Sequence, residues 1–425
     1  MAKNIIIISD GGGKDVRLFY RKTEEKKVYH SKSFIPLLCL VLLIAAVFPS
    51  YAAVSEEQQK ETAAGDGGLS IAAVSSILID ADSGTILFED NADEKLPPAS
   101  VTKVMTMLLI MEAIDSGRIS FDDEVTVSER AAGMGGSQLY MEPGETHTVS
   151  ELLTGIATVS ANDACVAMAE YICGTEEIFI EKMNEKAGEL GLENTHFSNT
   201  NGLPAEDHYS SARDIASMSK ELLSHEGILS YLANEGGTIE VGKEGHTSTI
   251  EMINTNKLLK TYNGAKGIKT GFTQDAGYCL SACAERDDLT LIAVILGAET
   301  SQLRFEESAR LLDYGFAGYE CVKIADKNEI VGTASVEKGV INAVDMKTEE
   351  RISLLVKKGD AASVSCRVVP SGSLKAPVKE NDEVGTLEVS KDGEVIAEYP
   401  LTASTGADAA GLKLLMIRSA EMVLK

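Results

Sequence analysis

Histidine is scarce in this chain: there are six in 425 residues, none in an H-E-x-x-H arrangement, and no C-x-x-C pair accompanies them. A metal centre built from imidazole and thiolate therefore has no framework, and nothing in the motifs asks for a cofactor. Positive charge is in deficit too, with 39 Lys and Arg against 65 Asp and Glu and a formal net charge of −26. That balance excludes nucleic acid as the natural partner, because a polyphosphate would be repelled. A bilayer-spanning run is also missing: the longest uncharged apolar stretch covers only residues 34–48, short of the ~18–20 residues a span needs. Cysteine is present without a disulfide pattern. Cys165 and Cys173 fall eight apart on an expected helix, and Cys279 and Cys283 four apart on an expected strand. Either spacing puts the Cα atoms beyond bridging reach, so free, mostly buried thiols are expected.

The short apolar run has a use of its own. Lys22, Lys26, Lys27 and Lys32 precede it and Ser50-Tyr51-Ala52 follows it. This is the layout of a signal peptide over residues 1–53, cleaved near Ala52 to Ala53, with an uncleaved anchor as the second reading. The Leu37-Leu38 flank of Cys39 lacks the small residue of a lipoprotein site. Residues 1–53 carry eight Lys/Arg and four Asp/Glu, so the exported chain has a net charge near −30. Residues 54–69, rich in Glu, Gln, Ala and Gly, read as a solvated spacer.

The folded part opens with two expected strands, 75–79 and 85–89, around an Asp82-Ser83-Gly84 turn. Residues 99–114 are apolar almost all round, which marks a buried helix entered after Pro97-Pro98. Helical periodicity recurs at 149–158, 162–172, 175–190 and 212–223; strands follow at 268–272, 278–284 and 290–296, then a helix at 305–312. Hairpin, helices, strands and helix make an α+β layout with a mostly antiparallel sheet. This first domain is expected over 70–318. From 319 to 402 short alternating segments (352–356, 363–369, 383–389, 394–399) broken by Gly-containing turns indicate a small all-β domain. Residues 403–410 read as a small-residue linker. Residues 411–425 form an amphipathic helix with Arg418, Glu421 and Lys425 on one side against Leu412, Leu415, Met416, Met422 and Val423. Such a helix either packs on the β domain or lies in a membrane surface, and its terminal, basic character favours the membrane.

Three motifs carry the chemistry. In Ser100-Val101-Thr102-Lys103, serine and lysine lie one helical turn apart. A serine hydroxyl needs a neighbouring base, and a buried lysine, its charged form disfavoured, can be that base near neutral pH. Two accidental matches, Ser217 to Lys220 and Ser335 to Lys338, show that the spacing alone proves nothing. Ser160-Ala161-Asn162 follows at an expected helix-helix corner. There Ser160 could pass protons and Asn162 could hold a substrate amide, although such a corner is more often a helix cap. Lys269-Thr270-Gly271 lies on the first late strand. Lys269, Thr270 and Thr273 offer a cation and hydroxyls for a carboxylate, and Gly271 offers a close approach to the backbone.

With their surroundings, Pro98-Ala99-Ser100-Val101-Thr102-Lys103, Ser160-Ala161-Asn162-Asp163-Ala164 and Gly267-Ile268-Lys269-Thr270-Gly271-Phe272-Thr273 closely resemble low-molecular-weight penicillin-binding proteins, the serine-type D-alanyl-D-alanine carboxypeptidases of the peptidase S11 family. Gly202-Leu203, the run from Tyr209 to Asp214, and Ala276-Gly277-Tyr278 extend the resemblance, which spans roughly residues 70 to 425 and looks most like the sporulation-associated Gram-positive type. It implies that Ser100 attacks the bond between the terminal D-alanines of a peptidoglycan stem pentapeptide. Lys103 would be the general base and Ser160 the proton shuttle. Asn162 would hold the substrate amide, and the backbone N–H groups of Ser100 and Phe272 would form the oxyanion hole. Lys269, Thr270, Gly271, Thr273 and Arg304 would surround the substrate's terminal carboxylate. It further implies covalent inhibition by β-lactams, and an extracytoplasmic enzyme held at the membrane surface through its last helix. The chain reads Ser-Ala-Asn where familiar members read Ser-Gly-Asn, and Phe272 stands where His is frequent; neither change touches a reacting side chain.

A class A β-lactamase would need Ser-Asp-Asn and a Glu-x-x-Leu-Asn base. The nearest approach, from Glu189 to Asn194, has one residue too many. A transpeptidase differs only in its acceptor, and a non-catalytic wall-binding or penicillin-sensing protein would not need all three motifs intact.

Overall fold

A computed structural model of the chain describes residues 3–7, 18–21, 69–243 and 245–423. The apolar run 34–48, the expected cleavage site and the spacer up to residue 68 lie outside the described residues. Of the expected signal segment only Lys3–Ile7 and Leu18–Arg21 are described; they pair with each other, and the first also pairs with Val364–Pro370. The chain divides into two compact units, residues 59–319 and residues 320–425 with 1–58.

The first unit is built on a five-stranded antiparallel sheet in the order Ile86–Asp90, Ser75–Asp80, Leu289–Ala298, Gly277–Arg286, Ala265–Thr273. Leu289–Ala298 is apolar at nearly every position because both its faces are covered: Leu291 through Leu296 are all buried. Successive side chains point to opposite faces. Ile292, Val294 and Leu296 join Ile77 and Ile79 in the main core under the helices. On the other face, Leu291 and Leu78 lie so close to Gly315 of the helix Ser301–Gly318 that a Cβ there would meet them at 2.4 and 3.0 Å. That helix is longer than the 305–312 its apolar residues suggested. Thr300 caps it by accepting the Leu303 N–H at 3.1 Å, and its outer face carries Gln302, Glu306, Arg310 and Asp313.

The helical region surrounds Lys103–Asp115, of whose thirteen residues all but Glu112, Ile114 and Asp115 are buried. Its first turn differs from expectation: Ala99–Thr102 is 3-10 and the α-helix begins at Lys103 itself. Val149–Thr158 starts from a capping box, Thr148 and Glu151 each bonding the other's backbone N–H, and turns at Ser160 into Asn162–Cys173. The hairpin of Gly236–Val241 and Ser248–Ile253 was not expected; its turn-rich, largely polar sequence buries only Ile239, Val241 and Met252. None of the six cysteines among the described residues is in a disulfide, and Cys165, Cys279, Cys283 and Cys366 are buried.

The second unit is all-β but for its terminal helix. Each segment expected as a strand is one: Val364–Pro370, Glu383–Lys391 and Glu394–Ala403 share a sheet with Ile330–Glu337 and Ala343–Thr348, whereas Ile352–Lys357 pairs with Tyr319–Ala325. The core holds Val344, Met346, Leu387 and Leu401. Residues 404–410, expected as a linker, are instead laid against this unit. Ala407 exchanges backbone hydrogen bonds with Val378 at 2.7 and 2.9 Å, and Ala410 N–H reaches Lys338 O at 2.7 Å. Small side chains permit that approach. The helix Leu412–Val423 follows; Arg418 donates to the carbonyls of Gly339 and Val340, both at 2.7 Å, so it is not a free surface charge. Among the described residues no helix is long and apolar enough to cross a membrane.

Candidate active site

The three motifs, separated by up to 169 positions in sequence, meet at the start of the buried helix. Ser100 sits in the 3-10 turn and Lys103 is fully buried beneath it. Lys103 Nζ lies 3.0 Å from Ser100 Oγ, 2.7 Å from Asn162 Oδ1 and 2.5 Å from the Asn201 carbonyl oxygen. Burial pushes the Lys103 ammonium down to about 8, a shift that Cys165 and Asp163 partly oppose. This geometry has a chemical consequence. A neutral amine has two N–H donors and one lone pair. Two of the three partners, the Asn162 and Asn201 oxygens, can only accept, so both donors go to them. The lone pair is left facing the Ser100 hydroxyl.

Asn162 has a partner at its backbone N–H and at both polar side-chain atoms. Its backbone N–H donates to Ser137 O at 2.7 Å and its Nδ2 to Gly135 O at 2.7 Å. Asp163 accepts the N–H groups of Leu139 and Tyr140, so the 135–141 loop is bound to this helix start. In the resting site Asn162 thus orients Lys103 and the loop. Ser160 adopts φ +65°, and its buried Oγ has no hydrogen-bond partner, Lys103 included.

Lys269 and Gly271 share a strand face turned toward the nucleophile turn. Lys269 is buried, with Nζ 3.2 Å from its neighbour's carbonyl, Thr270 O. Its ammonium is held well below the ordinary lysine range by burial first and by Lys103 second. Gly271 does admit a close approach, but of this chain itself: a Cβ would lie 2.9 Å from Pro98 O and 3.0 Å from Ser100 N. On the opposite face Thr270 Oγ1 meets Thr255 Oγ1 at 2.6 Å, and Thr255 N–H donates to Thr158 O at 3.1 Å. Phe272 is 51% exposed and stacks on Tyr278, with ring centroids 4.3 Å apart. Beside this pair opens a cavity of about 500 Å³ lined by Leu96, Pro97, Gln274 and Asp275 among others. Thr273 Oγ1 accepts the Ala276 N–H at 3.0 Å and so closes the strand turn.

Arg304 stands differently from expectation. It is buried on the helix Ser301–Gly318, and Nη1 donates to Gly271 O at 2.8 Å and Cys279 O at 3.3 Å. Its guanidinium rests against the Phe305 and Tyr278 rings, 4.8 and 5.4 Å from their centroids. In this structure it clamps the catalytic strand through the backbone. Among the accidental matches, Ser217 is exposed on its helix and bonds Arg213 O, and Ser335 lies exposed on a strand. Sequence reasoning missed Asn201, which acts through a main-chain carbonyl that any residue type carries, and Thr255, whose only signal is nearness to a turn.

The family model described as D-alanyl-D-alanine carboxypeptidase matches residues 57–300, and that described as penicillin-binding protein 5, C-terminal domain, matches residues 319–407. D-alanyl-D-alanine carboxypeptidase DacF of Bacillus subtilis is 43% identical over 91% of this chain and 98% of its own length. DacA of Escherichia coli K12 is 36% identical over 78% of this chain and 82% of its own. Among solved structures, penicillin-binding protein 5 from Haemophilus influenzae superposes with a TM-score of 0.65 at 32% identity, covering 81% of this chain and all of that one.

Proposed function

The chain belongs to the peptidase S11 family of D-alanyl-D-alanine carboxypeptidases, and from that premise we propose which of its residues perform the reaction. The enzyme is a serine-type D-Ala-D-Ala carboxypeptidase of the penicillin-binding class, acting on peptidoglycan stem peptides and acylated by β-lactams. The observation that carries the assignment is the 3.0 Å contact of buried Lys103 Nζ with Ser100 Oγ, its other two partners, the Asn162 and Asn201 oxygens, being acceptors only, so that in its neutral form the amine turns its lone pair to Ser100. Ser100 Oγ attacks the carbonyl carbon of the penultimate D-alanine as Lys103 takes its proton. The oxyanion is received by the backbone N–H groups of Ser100 and Phe272. As the C–N bond breaks, the proton on Lys103 passes by way of Ser160 Oγ to the leaving amine. D-alanine departs and an ester remains on Ser100. Water attacks that ester, giving its proton to Lys103, which returns it to Ser100 Oγ.

Lys269 and Thr270 receive the terminal carboxylate, and that anion, entering beside Lys269, favours its charged form. The cavity past Phe272 has room for the stem peptide leading to the scissile bond. Arg304 supports this site as a clamp on the strand.

The enzyme works outside the cytoplasm after removal of residues 1–53, held at the membrane surface by its last helix. Leu412, Met416 and Ile417 are exposed on that helix, and Val340 and Ile341, next to the carbonyls that Arg418 binds, add exposed apolar surface. Identity is higher to the Bacillus protein than to the Escherichia ones, which supports the sporulation-associated Gram-positive type. Transcription confined to vegetative cells would remove that last element.

The residue assignment is tested on purified protein from residue 54 with diacetyl-L-lysyl-D-alanyl-D-alanine, products read by mass spectrometry with and without an amine acceptor. The expected product is free D-alanine and the shortened peptide, with fluorescent penicillin labelling the protein. Ser100→Ala loses both; D-alanine release that survives in this variant refutes the nucleophile.

A further inference from the structure

One buried titratable side chain beside the site has no part in the chemistry above. His208 is 7% exposed and belongs to the loop that also brings the Asn201 carbonyl to Lys103. Its Nδ1 lies 3.0 Å from the Ser198 backbone N–H, and its Nε2 lies 2.8 Å from Thr102 Oγ1. A main-chain N–H can only donate, so Nδ1 accepts and the ring proton of the neutral imidazole sits on Nε2. Nε2–H therefore donates to Thr102. The Thr102 hydroxyl spends its own proton on Ala99 O, 2.8 Å away. The result is a one-way chain of donors from Ser198 through His208 and Thr102 to the Ala99 carbonyl.

Ala99 is where that chain matters. It adopts φ +48°, the left-handed region an alanine avoids at a cost of roughly 1–2 kcal/mol, and it immediately precedes Ser100. The same carbonyl is closed in from the loop side. A Cβ on Gly202, itself at φ +86°, would fall 1.8 Å from Ala99 O. Burial also holds the His208 imidazolium down to about 4, with His196 and Lys103 adding to the effect, so the neutral donor-acceptor form persists at neutral pH.

We propose that His208 is a positioning residue for acylation: through Thr102 it holds the Ala99 carbonyl, and with it the left-handed turn that presents Ser100 to the acyl carbon. This rests on Ser100 being the nucleophile. His208 and Thr102 are both buried and reach the nucleophile through Ala99, so their loss acts on the geometry of attack, where a small misplacement is costly.

Four variants test this: His208→Leu, which can neither donate nor accept; His208→Gln, which can do both; Thr102→Val, similar in shape without the hydroxyl; and the Leu/Val double variant. The readouts are the acylation rate with fluorescent penicillin, kcat and KM for D-alanine release, and the melting temperature. His208→Leu and Thr102→Val should each acylate roughly tenfold to a hundredfold more slowly, the loss falling on kcat rather than KM. The double variant should be no slower than the slower single, because both cut one chain. His208→Gln should recover to within about threefold of the unaltered rate. Thr102→Val acylating at the unaltered rate, losses that multiply in the double variant, or His208→Gln no faster than His208→Leu would each overturn the proposal. If His208→Leu does not fold, Thr102→Val and His208→Gln decide it alone. Labelling that survives in Ser100→Ala would point to failure of the underlying reading instead.

Discussion

Lys103 must be charged enough to stay anchored and neutral enough to take a proton, and burial meets both demands by bringing its ammonium to about 8. The sign of the pH dependence follows. Below about 8 the protonated, inactive form dominates, so acylation should rise about tenfold per pH unit from 5 to 7 and level off above about 8. Stopped-flow acylation with fluorescent penicillin checks this, and a flat profile over that range would exclude Lys103 as the base. At this scale the motifs named the residue types but not their partners. Lys103 touches Asn162, 59 positions away, and the carbonyl of Asn201, 98 positions away. Arg304 was expected at the substrate's carboxylate because the family resemblance implies it. In the fold its Nη1 donates to the carbonyls of Gly271 and Cys279, a role that a residue type alone does not reveal.

The elements explain why Gly271 is glycine. Its strand Ala265–Thr273 pairs with Gly277–Arg286, its carbonyl is clamped by Arg304, and the turn of Pro98 to Ser100 presses on the face where a Cβ would stand. None of these can yield easily. Gly271→Ala should therefore slow acylation by at least about tenfold and destabilise the first unit by about 1–3 kcal/mol, as overpacking in a tight core does. Acylation rate and urea unfolding measure the two losses; an unaltered rate would show that the turn can move. The elements themselves were largely readable. The continuous apolar pattern of residues 99–114 announced a buried helix, and the capping box at Thr148 and Glu151 lies where periodicity places a helix start. Others were not: the Gly236–Val241 hairpin carries too few apolar residues for a period to stand out, and the last turn of Ser301–Gly318 contains Gly315 and Gly318, which read as a break.

Across the whole molecule, each unit has its own core and the strong negative charge gives no help at an anionic membrane. The proposed membrane retention rests on the terminal helix, whose Leu412, Met416 and Ile417 are exposed while Arg418 fastens it to the β unit. Protein ending at residue 410 should move from the membrane fraction to the soluble fraction while still binding penicillin. Unchanged membrane recovery in that truncation would end the anchor assignment.

The amino-acid sequence by itself determined the reaction class and the α+β layout with a β unit behind it. Motif order, hydrophobic period and residue spacing are properties of a one-dimensional chain and are legible there. Only the tertiary structure decided which atoms face which. It set Lys103 Nζ against Ser100 Oγ and Gly271 against the nucleophile turn, and made a strand clamp of Arg304. It also put His208 behind Thr102. Those are relations between distant segments, settled by packing and by the requirement that buried polar groups find partners.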